Sequence, residues 1–274
     1  MKMNLKPFVK WAGGKRQLLP ELLKRKPKNF DEYYEPFIGG GALLFELQPE
    51  RATINDINPH LIYTYNTIKD NAEELIKILE KWDKIETTKE KYYQVRDIYN
   101  EKILKEDFDI EIAAMFIYLN KRCFNGLYRV NSKGLFNVPF NNKKKVISFD
   151  EENLKNMSQY LKMVTIHQGD FEDSLSSAKK GDFIFLDSPY APLKPTSFSD
   201  YTKQGFDIDS HKRLAKVFKE LDKKGCYIML TNHDTKLIRE LYTDFNMENV
   251  NAKRMINSDS TKRFATELIV RNYE

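Results

Sequence analysis

Cysteine is nearly absent. The chain of 274 residues has two, Cys123 and Cys226, at a spacing that suits neither a metal site nor a disulfide framework. His167, His211 and His233 are scattered and form no evident metal cluster or catalytic triad. No apolar run approaches the length of a membrane span. Met1-Lys2-Met3-Asn4 leads into no signal-peptide core, so a cytoplasmic location is expected. Internal repeats and long low-complexity tracts are missing. Around Gly13-Gly14-Lys15 the long spacer and the Ser/Thr of a P-loop are both lacking, which removes that class of nucleotide site. What remains is an enzyme for which no structural metal is expected.

The composition, 41% hydrophobic and 31% charged, suits one large core with a smaller inserted lobe and argues against disorder. The net charge of +5 is modest but unevenly placed. Lys2, Lys6, Lys10, Lys15, Arg16, Lys24, Arg25, Lys26 and Lys28 face a single Glu21, and Lys143-Lys144-Lys145 form a second run. Such patches neutralise phosphates or simply make a solvated face.

The most informative stretch is Phe183-Ile184-Phe185-Leu186-Asp187-Ser188-Pro189-Tyr190. Four apolar residues read as a buried strand that ends in a carboxylate, and in α/β sheets ligands bind at the carboxyl ends of strands. Pro189 stiffens the turn and keeps Ser188 out of the helical region. The Asp187 oxygens and the Ser188 carbonyl can then converge on one amino group, with the Tyr190 ring over the base that carries it. A solvated strand-ending turn is the plainer alternative.

Upstream, Pro7–Leu19 reads as a loop with paired glycines entering a helix, in which Trp11 fits either core packing or stacking on a ligand. Tyr33–Ala42 reads as strand, glycine turn and helix, and the strand Ala52–Ile57 places Asp56 near its end. A glycine turn followed by an acid about 20 residues later admits a ligand to the backbone and accepts ribose hydroxyls, a spacing that fits more than one cofactor. From His60 to Arg122 the pattern is helical, with stripes at Leu75, Ile76 and Leu79 and at Ile112, Met115, Phe116 and Leu119. Between Asn120 and Phe140, Asn-Gly and Ser-Lys-Gly turn signals separate mixed aromatic and polar residues, the composition of a protruding hairpin. Such a hairpin either enters a DNA groove or carries incidental surface charge. Val164–His167, Cys226–Asn232, Phe245–Val250 and Glu267–Arg271 are further strand candidates, alternating with helices over Asp207–Lys223 and through Leu237 and Leu241. Alternation of this kind indicates a sheet covered on both faces.

Lys10-Trp11-Ala12-Gly13-Gly14-Lys15, Pro36-Phe37-Ile38-Gly39-Gly40-Gly41, Asn55-Asp56, Asn125-Gly126-Leu127-Tyr128-Arg129, Phe136-Asn137-Val138-Pro139-Phe140 and Asp187-Ser188-Pro189-Tyr190 occur in this order. Over nearly its whole length the chain resembles the Dam-type DNA adenine N6-methyltransferases. The resemblance implies an α/β, Rossmann-like S-adenosylmethionine methyltransferase sheet with an inserted helical and β-hairpin DNA-recognition lobe. It places the catalytic domain at 1–59 and 160–274 and the lobe at 60–159. It also implies S-adenosylmethionine as cofactor without a metal and double-stranded DNA containing GATC as partner; no membrane is expected, and the oligomeric state stays open with a monomer favoured. By resemblance Asp187, Ser188, Pro189 and Tyr190 are catalytic. Trp11, Lys15, Gly39, Gly40, Gly41, Asp56, Asp170, Phe171 and Asp187 bind the cofactor. Lys10, Phe124, Asn125, Leu127, Arg129 and Pro139 contact DNA, Phe124 as a wedge and Arg129 as a guanine reader.

Two positions depart from the family pattern. Ser188 stands where the family has proline, and Asn141-Asn142 stand where relatives often carry glycine and a basic residue. The contact attributed to position 188 is its carbonyl, which serine also offers, but serine does not fix φ. The expectation is an active enzyme. The alternatives are a catalytically weakened or silent relative that still binds DNA and cofactor, and a methyltransferase for RNA or a small amino substrate.

Overall fold

Strands and helices alternate as the apolar pattern requires. The computed structural model describes residues 2–193, 206–253 and 264–274, and shows a mixed α/β protein with a seven-stranded sheet. In chain order the elements are α1 (Leu19–Arg25), β1 (Tyr33–Glu35), α2 (Ala42–Leu47), β2 (Ala52–Asp56), α3 (Pro59–Asp83), α4 (Lys89–Leu104), α5 (Ile110–Arg122), α6 (Glu151–Leu161), β3 (Val164–Gln168), β4 (Phe183–Leu186), α7 (Ile208–Lys224), β5 (Tyr227–His233), α8 (Lys236–Leu241), β6 (Asn246–Lys253) and β7 (Phe264–Arg271). Two compact units are built from them. One comprises Met1–Gly14, Gly39–Gln48 and Asp56–Gly169; the other comprises Lys15–Ile38, Pro49–Asn55 and Asp170–Glu274.

In the second unit, β1 pairs in parallel with β2 and β4, and β4 in parallel with β5. β7 runs antiparallel to both β5 and β6 and lies between them. All four residues of β4 are buried, as a strand in the middle of a parallel sheet covered on both faces must be. α7 packs Leu214, Ala215, Val217, Phe218 and Leu221 into the same core as Ile184, Leu186, Ile228, Leu230 and Val270. Its ends are set locally: the Asp207 side chain accepts the Ser210 N–H, and Gly225 closes the helix at φ +84°.

The first unit is mainly helical. The Asn58 side chain accepts the N–H groups of His60 and Leu61 to start α3, with Pro59 in the first turn, and Asn71 at φ −133° kinks the helix. Leu75, Ile76 and Leu79 are buried along one stripe of α3, and α5 buries Ile112 through Asn120 without interruption. α6 lies in a stretch where the sequence reading assigns no element. Asp150 caps it by accepting the Asn153 N–H, and Leu154, Met157 and Leu161 are its buried face.

The segment from Cys123 to Phe140 doubles back as expected of a hairpin, but its strands are not continuous. Single antiparallel bridges join Cys123 to Phe140 and Val130 to Phe136. Three local features interrupt the ladder: Asn125 adopts φ +55°, Pro139 has no N–H to give, and the Asn131 side chain accepts the N–H groups of Lys133 and Leu135.

The glycine turn before α2 is demanded by sterics. Gly41 has φ +69°, and a Cβ there would lie 2.7 Å from the Tyr65 hydroxyl oxygen and 2.9 Å from Phe45 Cε2. That hydroxyl donates to the Gly39 carbonyl at 3.0 Å. Gly41→Ala is expected to destabilise the protein by about 1–3 kcal/mol, through the left-handed backbone and the displaced Tyr65. A urea titration with unchanged slope and a lowered midpoint is the expected result.

Candidate active site and nucleic-acid interface

The expected cofactor and catalytic residues fall into two groups, one in each unit. In the first unit the glycine turn and the end of β2 meet. Asp56 accepts the Gly39 N–H on Oδ2 at 3.1 Å and the Asn58 N–H on Oδ1 at 3.0 Å. Burial pushes its carboxyl above the usual carboxylate range, and those N–H groups oppose the shift. Trp11 is half-buried over the turn; a Cβ on Gly39, where φ is +47°, would lie 2.7 Å from the indole Cδ1. The indole also stacks on Tyr128 at 5.5 Å and 19°. Gly40 lies beside it, its absent Cβ 3.5 Å from that of Trp11. Trp11, Gly39, Gly40, Gly41 and Asp56, chosen from motifs well separated in sequence, thus form one cluster.

The residues expected to touch DNA share the same unit and are mostly exposed: Lys10, Phe124, Asn125, Arg129 and Pro139 are open to solvent and Leu127 is half-buried. Phe124 is an exposed ring (52%) on a short 3-10 turn whose N–H donates to the Pro139 carbonyl at 2.8 Å. Arg129 donates to Asn137 within the doubled-back segment, through Nε to Oδ1 at 2.8 Å and through Nη2 to the carbonyl at 3.4 Å. Buried Asn120 holds two chain segments together. Its Oδ1 accepts the Lys10 N–H at 2.8 Å, while its amide donates to the carbonyls of Lys10 and Gly126 at 2.9 and 3.1 Å. Nothing in the local pattern distinguishes Asn120, on α5, or Asn137 from other asparagines; their partners do.

In the second unit, Asp187 follows β4 and meets groups from two other segments. Lys15 Nζ lies 2.9 Å from Asp187 Oδ1, and both side chains are largely shielded, at 7% and 18% exposure. The Thr231 hydroxyl donates to the same oxygen at 2.7 Å. Burial pushes the Asp187 carboxyl up, against the pull of Lys15 and Thr231. Lys15 also sits 4.6 Å from the centre of the Tyr190 ring, and the Tyr190 hydroxyl donates to Glu267 Oε2 at 2.6 Å. Lys15, expected as a cofactor contact, is therefore placed against the Asp187 carboxylate. Ser188 is 2% exposed and its hydroxyl has no hydrogen-bond partner among the described residues, while Pro189 is exposed.

Asp170 and Phe171 lie after β3. Arg213 binds Asp170 Oδ2 at 2.6 Å and stacks its guanidinium 4.4 Å from the Phe171 ring centre, while Phe37 packs against Phe171 at 5.3 Å. Thr231 and His233 were legible in principle. They end β5, the parallel neighbour of β4, so they share the carboxyl end of the sheet with Asp187. Among the described residues no group of three or more His, Cys, Asp or Glu is arranged to hold a metal ion, and no helix is long and apolar enough to cross a membrane.

Comparison with known proteins shows the family. Residues 11–256 match the model of the D12 class N6 adenine-specific DNA methyltransferases. The Type II methyltransferase M1.LlaDCHI of Lactococcus lactis subsp. cremoris is 44% identical across 99% of this chain and 97% of its own length. The Type II methyltransferase M.MjaIII of Methanocaldococcus jannaschii is also 44% identical, across 99% of this chain and its full length (100%). The DNA adenine methylase of Haemophilus influenzae is 34% identical across 98% and 94%. With a strand-ending carboxylate beside a stacking ring, a glycine turn beside an acid, and a family match over most of its length, the chain belongs to the D12 class of N6 adenine-specific DNA methyltransferases.

Proposed function

We propose that this protein transfers the methyl group of S-adenosylmethionine to N6 of an adenine turned out of duplex DNA, within GATC. The observation that carries the reading is Asp187 at the carboxyl end of β4, its Oδ1 held by Lys15 and Thr231, with the Tyr190 ring beside it. The N6 lone pair of adenine is delocalised into the ring, and a stacked base cannot reach the site. Asp187 and the Ser188 carbonyl accept hydrogen bonds from the two amino N–H groups, which moves the nitrogen toward tetrahedral geometry and frees its lone pair, and on methylation the nitrogen sheds one of those protons. Tyr190 holds the base by stacking, so the residues act by position and electrostatics. The carbonyl of Ser188 supplies what the family's proline supplies, which supports an active enzyme over a silent relative.

The residues in place suit the cofactor. Asp56 is held with both oxygens against backbone N–H groups, and we assign its remaining lone pairs to the ribose hydroxyls. Trp11 and Gly39 to Gly41 line the methionine side, and Asp170 and Phe171 flank the adenine. When bound, S-adenosylmethionine supplies an electrophilic methyl group on its sulfonium. We assign residues 1–59 and 160–274 to catalysis and 60–159 to DNA recognition, with Lys10, Phe124, Asn125, Leu127, Arg129 and Pro139 as contacts. The Type II methyltransferases among its relatives support a modification enzyme.

Nucleoside mass spectrometry after incubation with S-adenosylmethionine tests this on duplexes with and without GATC. N6-methyladenine in the GATC duplex alone is expected; product in both keeps the chemistry and removes the site. Arg129→Ala is expected to cost about 1–3 kcal/mol of discrimination at the base pair it reads. Equal selectivity for altered sites would withdraw its assignment.

A further inference from the structure

The Tyr190 ring is gripped by a pair of neighbouring strands whose contribution no motif announces. The Tyr190 hydroxyl donates to Glu267 Oε2 at 2.6 Å, within the short range of a bond to a carboxylate. Glu267 lies on β7, and its register partner on β5 is His233. His233 packs against the same tyrosine with ring centres 4.9 Å apart at 78°, and its Nδ1 is 2.8 Å from the carbonyl of Ala191. Asn232 accepts the Ala191 N–H at 2.8 Å. Residues 232 and 233 thus fasten the backbone just after the tyrosine, and Lys15 and His233 contact the ring itself. Glu267 holds its far end, where the Thr231 hydroxyl also bears on the phenol.

We infer that Glu267 is a positioning residue for methyl transfer, fixing the plane of the Tyr190 ring against which the target base stacks. The inference rests on the proposal that Asp187 to Tyr190 receive the base. Its physical basis is leverage. A tyrosine turns about two side-chain bonds, and a tether at the hydroxyl, the atom farthest from the backbone, restrains both at once. A ring free to tilt still binds DNA but presents the amino group off line, and misplacement of about 1 Å costs roughly 10²-fold in rate. Burial pushes the Tyr190 phenol well above its usual range, so the hydroxyl stays protonated and remains a donor. β7 reaches this place because it runs antiparallel beside β5, which brings a residue near its start to the carboxyl end of the parallel strands.

The test is steady-state methylation of a duplex on which the unaltered protein is active, with cofactor binding and thermal melting measured alongside. Glu267→Ala is expected to lower kcat roughly ten- to hundredfold while KM for DNA and cofactor affinity hold. Glu267→Gln keeps an acceptor oxygen and should recover most of the loss. Tyr190→Phe deletes the same bond, so it should match Glu267→Ala, and the double variant should be no worse than either single one. Multiplying losses in the double variant would overturn the inference. So would a Glu267→Ala or Glu267→Gln effect confined to KM or melting temperature. If Glu267→Ala fails to fold, Glu267→Gln and Tyr190→Phe still decide it, because a Tyr190→Phe rate equal to the unaltered protein's also overturns it. Tyr190→Ala separates the two levels. Full activity there removes the proposed site along with the clamp, whereas an inactive Tyr190→Ala beside a fully active Glu267→Ala removes the clamp alone.

Discussion

Asp187→Ala should abolish methyl transfer, by at least about 10²–10³-fold in kcat, with DNA and cofactor binding largely retained. The loss is large because the variant deletes the acceptor that raises electron density on the amino nitrogen. It also takes from Lys15, 7% exposed, the carboxylate that lies 2.9 Å away. Asp187→Asn is the sharper variant: it keeps the shape but offers an amide where two amino protons need acceptors. Single-turnover methylation measures the effect, and an Asp187→Asn protein of normal rate would defeat the proposed chemistry. A pH signature accompanies it. Burial raises the Asp187 carboxyl above the ordinary carboxylate range, and the ionised form is the acceptor, so the acidic limb of the rate profile should lie above that range. For stability the sign is opposite to that of a surface ion pair. The native state binds this proton more tightly than the unfolded chain does, so this group disfavours folding as pH rises through the window and less so as pH falls.

Arg122→Ala should cost about 3–5 kcal/mol of stability, a large share of the roughly 5–15 kcal/mol of a typical domain. The side chain is 1% exposed and uses its whole guanidinium. Nε donates to Thr87 Oγ1 at 2.8 Å, Nη1 to Ser148 Oγ at 2.6 Å, and Nη2 to Asp83 Oδ1 at 2.8 Å and the Val146 carbonyl at 2.7 Å. The guanidinium also lies 3.9 Å from the centre of the Tyr118 ring. Ser148 in turn binds both Asp83 oxygens, through its N–H at 2.7 Å and its hydroxyl at 2.6 Å. The network joins the end of α3, the end of α5 and the segment after Lys143-Lys144-Lys145. Removing Arg122 leaves Asp83 shielded and short of its cation, which is where most of the cost arises. Urea unfolding of Arg122→Ala, Asp83→Ala and the double variant checks this. The double loss should be smaller than the sum of the single ones, and strict additivity would show that the two side chains do not act as a pair.

Much of the fold and part of the site are local facts, and those the sequence carries. The run Phe183–Leu186 is apolar throughout because β4 is buried on both faces, and an acid after such a run marks the carboxyl end of the sheet. Gly41 is legible because no other residue reaches φ +69° without strain. The stripes of α3, α5 and α7 follow from helical spacing, and α6 had the same signal in Asp150, Leu154, Met157 and Leu161. The segment from Cys123 to Phe140 reads correctly as a chain reversal but not as a regular ladder, because asparagine side chains compete with strand pairing there.

Residue type and short spacing by themselves determined the alternation of elements, the glycine turn and the acids that end β2 and β4, while the resemblance of the ordered motifs pointed to the family. Tertiary structure alone decided who holds those groups in place. Thr231 lies 44 positions from the carboxylate it binds, Glu267 lies 77 from the hydroxyl it accepts, and Asn120 lies 110 from the backbone it fastens. A turn, a cap or a buried strand is enforced within a few residues, so its cause is written beside it in the chain. A hydrogen bond across β5 and β7, or between the start of the chain and α5, exists only after hydrophobic burial has brought distant segments into register.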